Sequence, residues 1–270
     1  MSFILTYDCR SDGSIRPYNK FFCSSYNAAF TGYEPWSTTK NFAVANGARA
    51  LRSDQYQPAG EFGLDSSTLD RRHGRTLFGD LVTSINSYDH TAGYSSNSLS
   101  RYFHELGQSD QLNELVKSKW LGIDQLSLGG PYGELAPESL QNVMESATSG
   151  LVSELERYPC GTMSNSLSPL ASAEMTRRLV QHEIVDEQFR WPGLSTVDHQ
   201  TILYGAEETL LFDDQKWGGM TSDPGIYLQH ALDMNLVNLD NEKSDWRIFS
   251  KLGGGYSGYR YVGEVTSNVS

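Results

Sequence analysis

Residues 32–52, GYEPWSTTKNFAVANGARALR, lead from a turn rich in glycine, proline and tryptophan into an alanine-rich segment. Apolar side chains recur at helical spacing from Thr38 to Leu51, which predicts a helix over these residues. Ser37 and Lys40 are three residues apart at its start, so a helix places them on one face. They are either an N-cap followed by a solvated lysine, or a nucleophilic serine and its base.

Two more short motifs contain the residue types that a nucleophilic serine needs around it. Residues 95–97, Ser-Ser-Asn, have the form S-x-N at the start of a predicted helix. A hydroxyl there can pass a proton to a leaving group, and Asn97 can hold a substrate amide. Residues 250–255, SKLGGG, lie on a predicted late strand. Lys251 would add positive charge to a site, and a backbone N–H just after it would supply half of an oxyanion hole.

Strands are predicted near the two ends of the chain and helices between them. The strand patterns are residues 2–9, one or two segments within 19–33, and residues 246–255 with 256–267 as their hairpin partner. The helical patterns are residues 77–86, 97–106, 108–119, 138–158 and 168–184, the last with Ser168 as N-cap and Pro169 at the first helical position. Residues 53–68 and 121–137 are predicted loops.

This order predicts an α+β fold, in which one antiparallel β-sheet is packed with helices and an all-helical subdomain is inserted in its middle. We expect a single unit over residues 1–270. Residues of about 38–190 would be mostly helical. Residues 1–36 and 245–270 would contribute the sheet.

The chain carries a formal net charge of −12, and its sequence pI is about 4.9. The acidic residues are dispersed, which indicates a solvated surface and disfavours a nucleic-acid partner. No apolar run is long enough to span a membrane, and the first residues, MSFILTYDCRSDG, lack the basic and apolar regions of a signal peptide. We therefore expect a cytoplasmic protein, or a periplasmic or secreted one if a signal peptide has been removed.

The sequence contains no cofactor or metal motif in the structural context that such a site requires. The three cysteines, Cys9, Cys23 and Cys160, lack metal spacing and give no disulfide framework. Residues 253–258 match G-x-G-x-x-G, but the residues that follow are typical of a strand, where a dinucleotide site needs a helix. We expect no metal and no cofactor.

Taken in this order, the three motifs resemble those of the serine β-lactamase and penicillin-binding protein (DD-peptidase) superfamily. The spacing of the first two is most like that of class A β-lactamases. About half of the chain shares the similarity. PWSTTKNFAVANGARAL looks like the nucleophile helix of that family, and YSSNSLSRYFHELGQSDQLNELVKSKWLG like its second-motif helix and the next one. NSLSPLASAEMTRRL is similar to a later class A helix, and WRIFSKLGGGYSGYRYVGEV to the third-motif strand and its neighbour.

The resemblance implies a β-lactamase-like serine hydrolase or acyltransferase with an S-x-x-K motif. Ser37 would be the acylated nucleophile, and Lys40 its general base or part of a base relay. Ser95 would pass the proton to the leaving group. The reaction would run in two steps, acylation of Ser37 and then transfer of the acyl group to water or another nucleophile. The substrate would be a small-molecule or peptide-like amide, ester or β-lactam.

The resemblance also implies how the substrate is held. Asn97 would bind a substrate amide. Lys251 would orient the second-motif serine and attract an anionic group of the substrate. Gly253 and Gly254 would line the substrate on the late strand, and the backbone N–H groups of Gly254 and Ser37 would form the oxyanion hole.

Two features of the sequence depart from the family pattern at the site. Leu252 stands where these enzymes usually have threonine or serine, whose hydroxyl helps to bind a substrate carboxylate, so an ordinary penicillin or D-Ala-D-Ala substrate is not expected. The class A deacylation glutamate has no firm counterpart. Glu138, with Asn142 four residues later, is one candidate for it, and Glu134 is a weaker one. Both are also explained as carboxylates of a loop or helix start.

Two further departures concern length. The second and third motifs are further apart than in a compact family member, and the extra residues are expected within 130–165 and 188–240. Few residues follow Gly253, where the family normally has another strand and a closing helix. Either the chain is truncated or something else covers that sheet edge, and a homodimer is one way to cover it. These departures support an alternative function, a non-catalytic descendant of the fold that binds a ligand or a partner.

Overall fold

The structure is a computed structural model of the 270-residue chain, and it describes a defined part of it. The described residues are 2–7, 12, 18–23, 27, 29–52, 62–64, 76–88, 93–120, 122, 126–132, 134–137, 140, 143–146, 152–154, 157–158, 160, 165–205, 211–212, 215–216, 218–222, 248–257 and 260–269.

The helices lie mainly between residues 36 and 204. They are α1 (Lys40–Arg52), α2 (Phe78–Ser87), α3 (Ser96–Gly107), α4 (Ser109–Glu114), α5 (Pro169–Val180) and α6 (Thr196–Tyr204). A 3₁₀ turn, Trp36–Thr39, leads into α1. Because it contains Ser37, the nucleophile predicted from the sequence, it is called the nucleophile turn below. Other short turns are the 3₁₀ turns Glu187–Phe189 and Gly219–Thr221 and the π-helical turn Leu115–Trp120.

The described strands form separate antiparallel groups. They are β1 (Ser2–Tyr7), β2 (Tyr18–Cys23), β3 (Phe62–Leu64), β4 (Thr76–Leu77), β5 (Val143–Ser146), β6 (Val152–Glu154), β7 (Leu211–Phe212), β8 (Gln215–Lys216), β9 (Ile248–Ser257) and β10 (Arg260–Val269). Strand β1 pairs with β2, β9 with β10 and β7 with β8, while β4, β3, β5 and β6 form a small four-stranded sheet in that order. The described strands do not pair into one sheet, so the single antiparallel sheet expected from the sequence stays a prediction.

Several predicted elements are confirmed. Helix α1 follows the nucleophile turn, α3 begins after the N-cap Ser95, and α5 begins at Pro169 after the N-cap Ser168. Both cap hydroxyls accept a hydrogen bond from the backbone N–H three residues on. The late strand and its hairpin partner are β9 and β10, so residues after the G-x-G-x-x-G match are indeed extended.

The predicted helix over residues 138–158 is wrong, because β5 and β6 lie within it and pair with each other. Five residues separate the two strands, and they include Gly150, a loop length and composition that suit a β-hairpin. The predicted loop over residues 53–68 is also wrong in part, since β3 lies within it and pairs with β5. So short a strand gives too few residues for its alternation to be recognised.

The hydrophobic core lies among the helices. Helix α1 packs against α3, and the Cβ of an alanine at Gly47 would come 2.9 Å from the ring of Phe103, which shows how closely the two helices approach. Edge-to-face packing of Phe103 on Phe78 and stacking of Phe42 with Trp191 extend this core to α2 and to the segment before α6. The consequence is that α1, α2 and α3 share one buried core.

Helices and strands meet at several places in the described part of the chain. Helix α5 lies against β1 and β10, α2 contacts β3, β4 and β9, and β9 also lies against the nucleophile turn. No helix in the described ranges is both long enough and apolar enough to cross a membrane.

Candidate active site

The nucleophile turn holds Ser37 in a strained and well-supported piece of backbone. Trp36, directly before it, has a φ of +47°, in the left-handed region that residues with a side chain seldom adopt. Hydroxyl groups of Thr38 and Thr39 bond back to the carbonyls of Pro35 (2.7 Å) and Trp36 (3.0 Å). The side chain of Ser37 is half-buried, and its hydroxyl forms no hydrogen bond to another described residue.

Lys40 is buried at the start of α1, with 1% of its surface exposed. Its amine Nζ donates to Ser96 Oγ at 2.9 Å and to Asn97 Oδ1 at 2.6 Å. Burial lowers the pKa of Lys40 from 10.5 to about 7, and the nearby Glu134 carboxylate acts in the opposite direction. The first two motifs, 57 residues apart in the chain, therefore meet at one lysine.

The partners of Ser96 and Asn97 fix the direction of these two hydrogen bonds. Ser96 Oγ donates its proton to the carbonyl of Ile85 at 2.8 Å, so it accepts from Lys40. The Asn97 amide nitrogen donates to Glu134 at 3.0 Å, which leaves its oxygen toward Lys40. A neutral Lys40 amine thus uses both N–H groups as donors, and its lone pair remains to accept a proton.

Ser95 and Asn97 both face the Glu134 carboxylate. Ser95 caps α3 by accepting the N–H of Ser98 at 3.0 Å, and its own hydroxyl donates to one oxygen of Glu134. Asn97 bonds the other oxygen. Glu134 is exposed, and the next residue, Leu135, accepts a hydrogen bond from Ser98 Oγ at 2.6 Å. The segment carrying Glu134 is therefore attached to the first turn of α3.

The third motif reaches the same place from β9. Lys251 is buried and donates to the carbonyl of Leu252 at 3.1 Å and to the hydroxyl of Tyr88. Gly253 packs directly on the nucleophile turn, because a Cβ there would lie 2.7 Å from the carbonyl oxygen of Pro35 and 3.0 Å from the backbone nitrogen of Thr38. Only a glycine permits this approach of β9 to the turn that holds the serine.

Tyr88 connects the two buried lysines. Its ring centroid lies 3.7 Å from Lys251 Nζ and 5.4 Å from Lys40 Nζ, so both amines face the negative region of one aromatic ring. Its hydroxyl donates to Leu252 at 2.7 Å. Sequence reasoning missed this residue. The sequence around Tyr88 indicates only the end of α2, where Tyr88 adopts the left-handed conformation. No motif connects it to Leu252, which lies 164 residues away on β9.

Not all of the predicted contacts are present. No hydrogen bond joins Lys40 Nζ to Ser37 Oγ or to Ser95 Oγ, and none joins Lys251 to Ser95. Lys40 instead bonds Ser96, the middle residue of the S-x-N motif, which sequence reasoning had passed over. Gly254 lies beside Gly253 on β9, opposite Gly263 of β10.

Glu138 lies outside the described residues, and Glu134 is the carboxylate that the structure places at the site. No cluster of three or more metal-ligating side chains occurs within the described ranges.

A second hydrogen-bond network anchors the nucleophile turn from the other side. Glu34, three residues before Ser37, accepts from the Tyr132 hydroxyl and from the backbone N–H of Asn165, each at 2.9 Å. The Asn165 amide bonds the Tyr132 oxygen at 3.0 Å and the carbonyl of Gly130 at 3.1 Å. Burial and the adjacent Glu34 raise the pKa of Tyr132, so the phenol stays protonated and remains a donor. This network holds the segment of Glu134 near the serine.

No model of a known protein family matches the chain, and no curated protein matches it either. The geometry and the three motifs therefore provide the grounds for a functional assignment.

Proposed function

We propose that the chain is a serine hydrolase or acyltransferase that forms an acyl-enzyme on Ser37. The buried amine of Lys40 is the observation that supports this function best. With a pKa of about 7, about half of the molecules hold it as a free amine at neutral pH. Residues three apart eclipse each other in a 3₁₀ turn, so Lys40 follows directly over Ser37. A base with an unused lone pair thus belongs to the residue that follows Ser37 by one 3₁₀ turn, and the Ser37 hydroxyl has no hydrogen-bond partner among the described residues.

In the proposed acylation, Ser37 gives its proton to Lys40 while its oxygen bonds the carbonyl carbon of the substrate. The backbone N–H groups of Ser37 and Gly254 would stabilise the resulting oxyanion by a few kcal/mol, about 3 for a single donor. Breaking the bond to the leaving group requires a proton, which Ser95 would supply and regain from Lys40. Ser95 exchanges its Glu134 acceptor for the leaving group in this step. Water or another nucleophile then removes the acyl group.

The proposal includes the fold and the substrate class. The fold would be the β-lactamase-like α+β arrangement, with β9 beside the nucleophile turn and the helices α1 to α3 behind it. Asn97 and Gly253 would contact the substrate, and Lys251 would supply positive charge behind Tyr88. The substrate would be an amide, ester or β-lactam, either a small molecule or peptide-like.

Covalent labelling tests the proposal. We expect a fluorophosphonate or a fluorescent penicillin to add one adduct to the folded chain, and peptide mapping to place it on Ser37. Ser37→Ala should remove the label, and Lys40→Met should slow labelling by at least about a hundredfold, because general-base assistance is worth about 10²–10⁴ in rate. Absence of an adduct with both probes, in protein shown to be folded by circular dichroism, would refute the proposal.

A pair of variants distinguishes the two serines of the S-x-N motif. Ser95→Ala should slow the reaction of substrates with a poor leaving group more than that of substrates with a good one, because only the former need the relayed proton. Ser96→Ala should slow both equally, since it removes an acceptor of Lys40. Nitrocefin should be hydrolysed slowly, because Leu252 has no hydroxyl for its carboxylate, and fast turnover would show that inference to be wrong.

A second candidate is a non-catalytic ligand-binding descendant of the same fold. The observation that favours it is the missing hydrogen bond between Lys40 Nζ and Ser37 Oγ. Catalytic hydrogen bonds are often long before a substrate binds, so this geometry alone does not decide between the two functions. Saturable binding of an acyl compound without any adduct on Ser37 would favour the second.

A further inference from the structure

Glu134 places a carboxylate among the groups proposed to contact the substrate. Its two oxygens accept from the Ser95 hydroxyl and from the Asn97 amide, the proposed proton donor and the proposed substrate-amide ligand. The side chain is exposed, and both of its hydrogen-bond partners are groups proposed to act on the substrate. An acyl group that reaches Asn97 must therefore pass next to a negative charge.

Within the described residues, no lysine, arginine or histidine forms a salt bridge with Glu134. Lys40 interacts with it electrostatically, but the Lys40 amine donates its hydrogen bonds to Ser96 and Asn97 instead. Burial lowers the pKa of Lys40 and so reduces its positive charge at neutral pH. The negative charge of Glu134 is therefore only partly compensated by the positive charge of Lys40.

The third motif on β9 does not provide a strong binding site for an anionic substrate group. Lys251 directs hydrogen bonds to the Tyr88 hydroxyl and to the Leu252 carbonyl, and its ammonium lies 3.7 Å from the ring centroid. These contacts stabilise its charge within the fold. The half-buried Leu252 side chain next to it cannot donate a hydrogen bond to a carboxylate. The polarity of the site is thus set mainly by its exposed carboxylate.

We propose that Glu134 determines substrate specificity, so that the site takes cationic and neutral acyl groups and rejects acyl groups that carry a carboxylate. This inference rests on the proposed acylation of Ser37. A unit charge at about 6 Å, at an effective dielectric constant of about 40, changes an encounter or acylation constant by roughly tenfold. Cationic and anionic acyl groups should therefore differ by roughly a hundredfold, and the difference should shrink as salt is added.

Three 4-nitrophenyl esters of matched chain length test this specificity: the 5-(trimethylammonio)pentanoate, the hexanoate and the hydrogen adipate. The burst of nitrophenol gives the acylation rate of each, and the later linear phase gives deacylation. The wild-type protein should acylate fastest with the cationic ester and slowest with the anionic one. Glu134→Gln should reduce the ratio of these two acylation rates by at least about tenfold. The glutamine amide can still accept from Asn97 and can donate to Ser95, so it keeps a contact with each residue while the direction of the Ser95 bond reverses.

Glu187→Gln is the matched control, because it removes one exposed carboxylate from the turn between α5 and α6. It should leave the ratio unchanged. A wild-type ratio near one, or the same ratio in Glu134→Gln, would overturn the specificity proposal. Equal slowing of deacylation for all three esters in Glu134→Gln, with an unchanged acylation ratio, would also overturn it and make Glu134 a deacylation residue. If no ester gives a burst that depends on Ser37, both the specificity and the proposed function are wrong.

Discussion

Replacement of Lys40 by methionine should stabilise the fold while it abolishes acylation. Methionine keeps most of the side-chain volume but has no group to ionise. Lys40 has a folded pKa of about 7, below the value of 10.5 that it has in an unfolded chain. Between these values the unfolded chain binds a proton that the folded chain does not, so the free energy of unfolding rises with pH across this window. Below pH 7 the destabilisation by Lys40 is complete.

The linkage relation gives the size of this effect. Lys40 should destabilise the folded chain by about 4 kcal/mol at pH 7 and by about 2 kcal/mol at pH 9. The lost hydrogen bonds to Ser96 and Asn97 offset part of the gain, at about 1 kcal/mol each. Because that offset does not depend on Lys40 ionisation, the stability difference between Lys40→Met and wild type should shrink by about 2 kcal/mol from pH 7 to pH 9.

Urea denaturation at several pH values between 7 and 9 measures this difference, with burst acylation measured on the same samples. Ser37→Ala is the matched control. It should abolish acylation as Lys40→Met does, but its free energy of unfolding should follow the pH dependence of the wild type, since it retains Lys40. A stability difference between Lys40→Met and wild type that is constant from pH 7 to pH 9 would refute a lowered pKa. The proposed general base would then lose its main support.

Three further predictions follow from the contacts around the site and the core. Gly253→Ala should slow acylation more than tenfold and destabilise the fold by about 1–3 kcal/mol, because its Cβ would collide with the Pro35 carbonyl; stopped-flow rates within twofold of wild type would contradict this. Tyr132→Phe should cost about 1–3 kcal/mol in urea denaturation, because Glu34 loses a donor, and an unchanged midpoint would show that water replaces it. Burial lowers the pKa of His104 to about 4, so the free energy of unfolding should fall as pH drops from 6.5 toward 4. His104→Gln should remove about 2–3 kcal/mol of that fall, measured between pH 7 and 4.5.

The parts of the site that the sequence predicted correctly depend on local interactions. The sequence predicted a helix start at residues 95–97 and Ser168 as an N-cap. Both Ser95 and Ser168 accept a backbone N–H three residues on, a geometry that involves neighbours in the chain only. Strand β9 and its partner β10 were also predicted, since alternation and a tight turn are local features. These elements place the first two motifs at helix starts and the third motif within β9.

What the sequence did not predict depends on residues far apart in the chain. Tyr88 faces Lys251 only because α2 and β9 pack against each other, and nothing near Tyr88 indicates that contact. Similarly, spacing in the sequence favoured Glu138 over Glu134, and no local pattern indicates that Glu134 meets Ser95 and Asn97 in space. Glu138 lies outside the described residues, so its predicted role stays a prediction. The error at residues 138–158 has the same origin, because pairing with β3 stabilises β5 as a strand despite good helix formers around it.

The backbone of the nucleophile turn bears on the first ambiguity of the sequence, whether Ser37 is a helix cap or a nucleophile. A cap would accept a backbone N–H from the first turn of α1, but the hydroxyl of Ser37 accepts none from any described residue. The 3₁₀ bond from Thr38 N–H to Pro35, at 3.2 Å, and the bond from Lys40 N–H to Ser37 O satisfy these donors through the backbone instead. Helix capping therefore does not explain why a serine stands after the strained Trp36. Ser95, in contrast, caps α3 with its lone pair and still donates its proton outward, so at that position the structural role and the proposed chemical role are compatible.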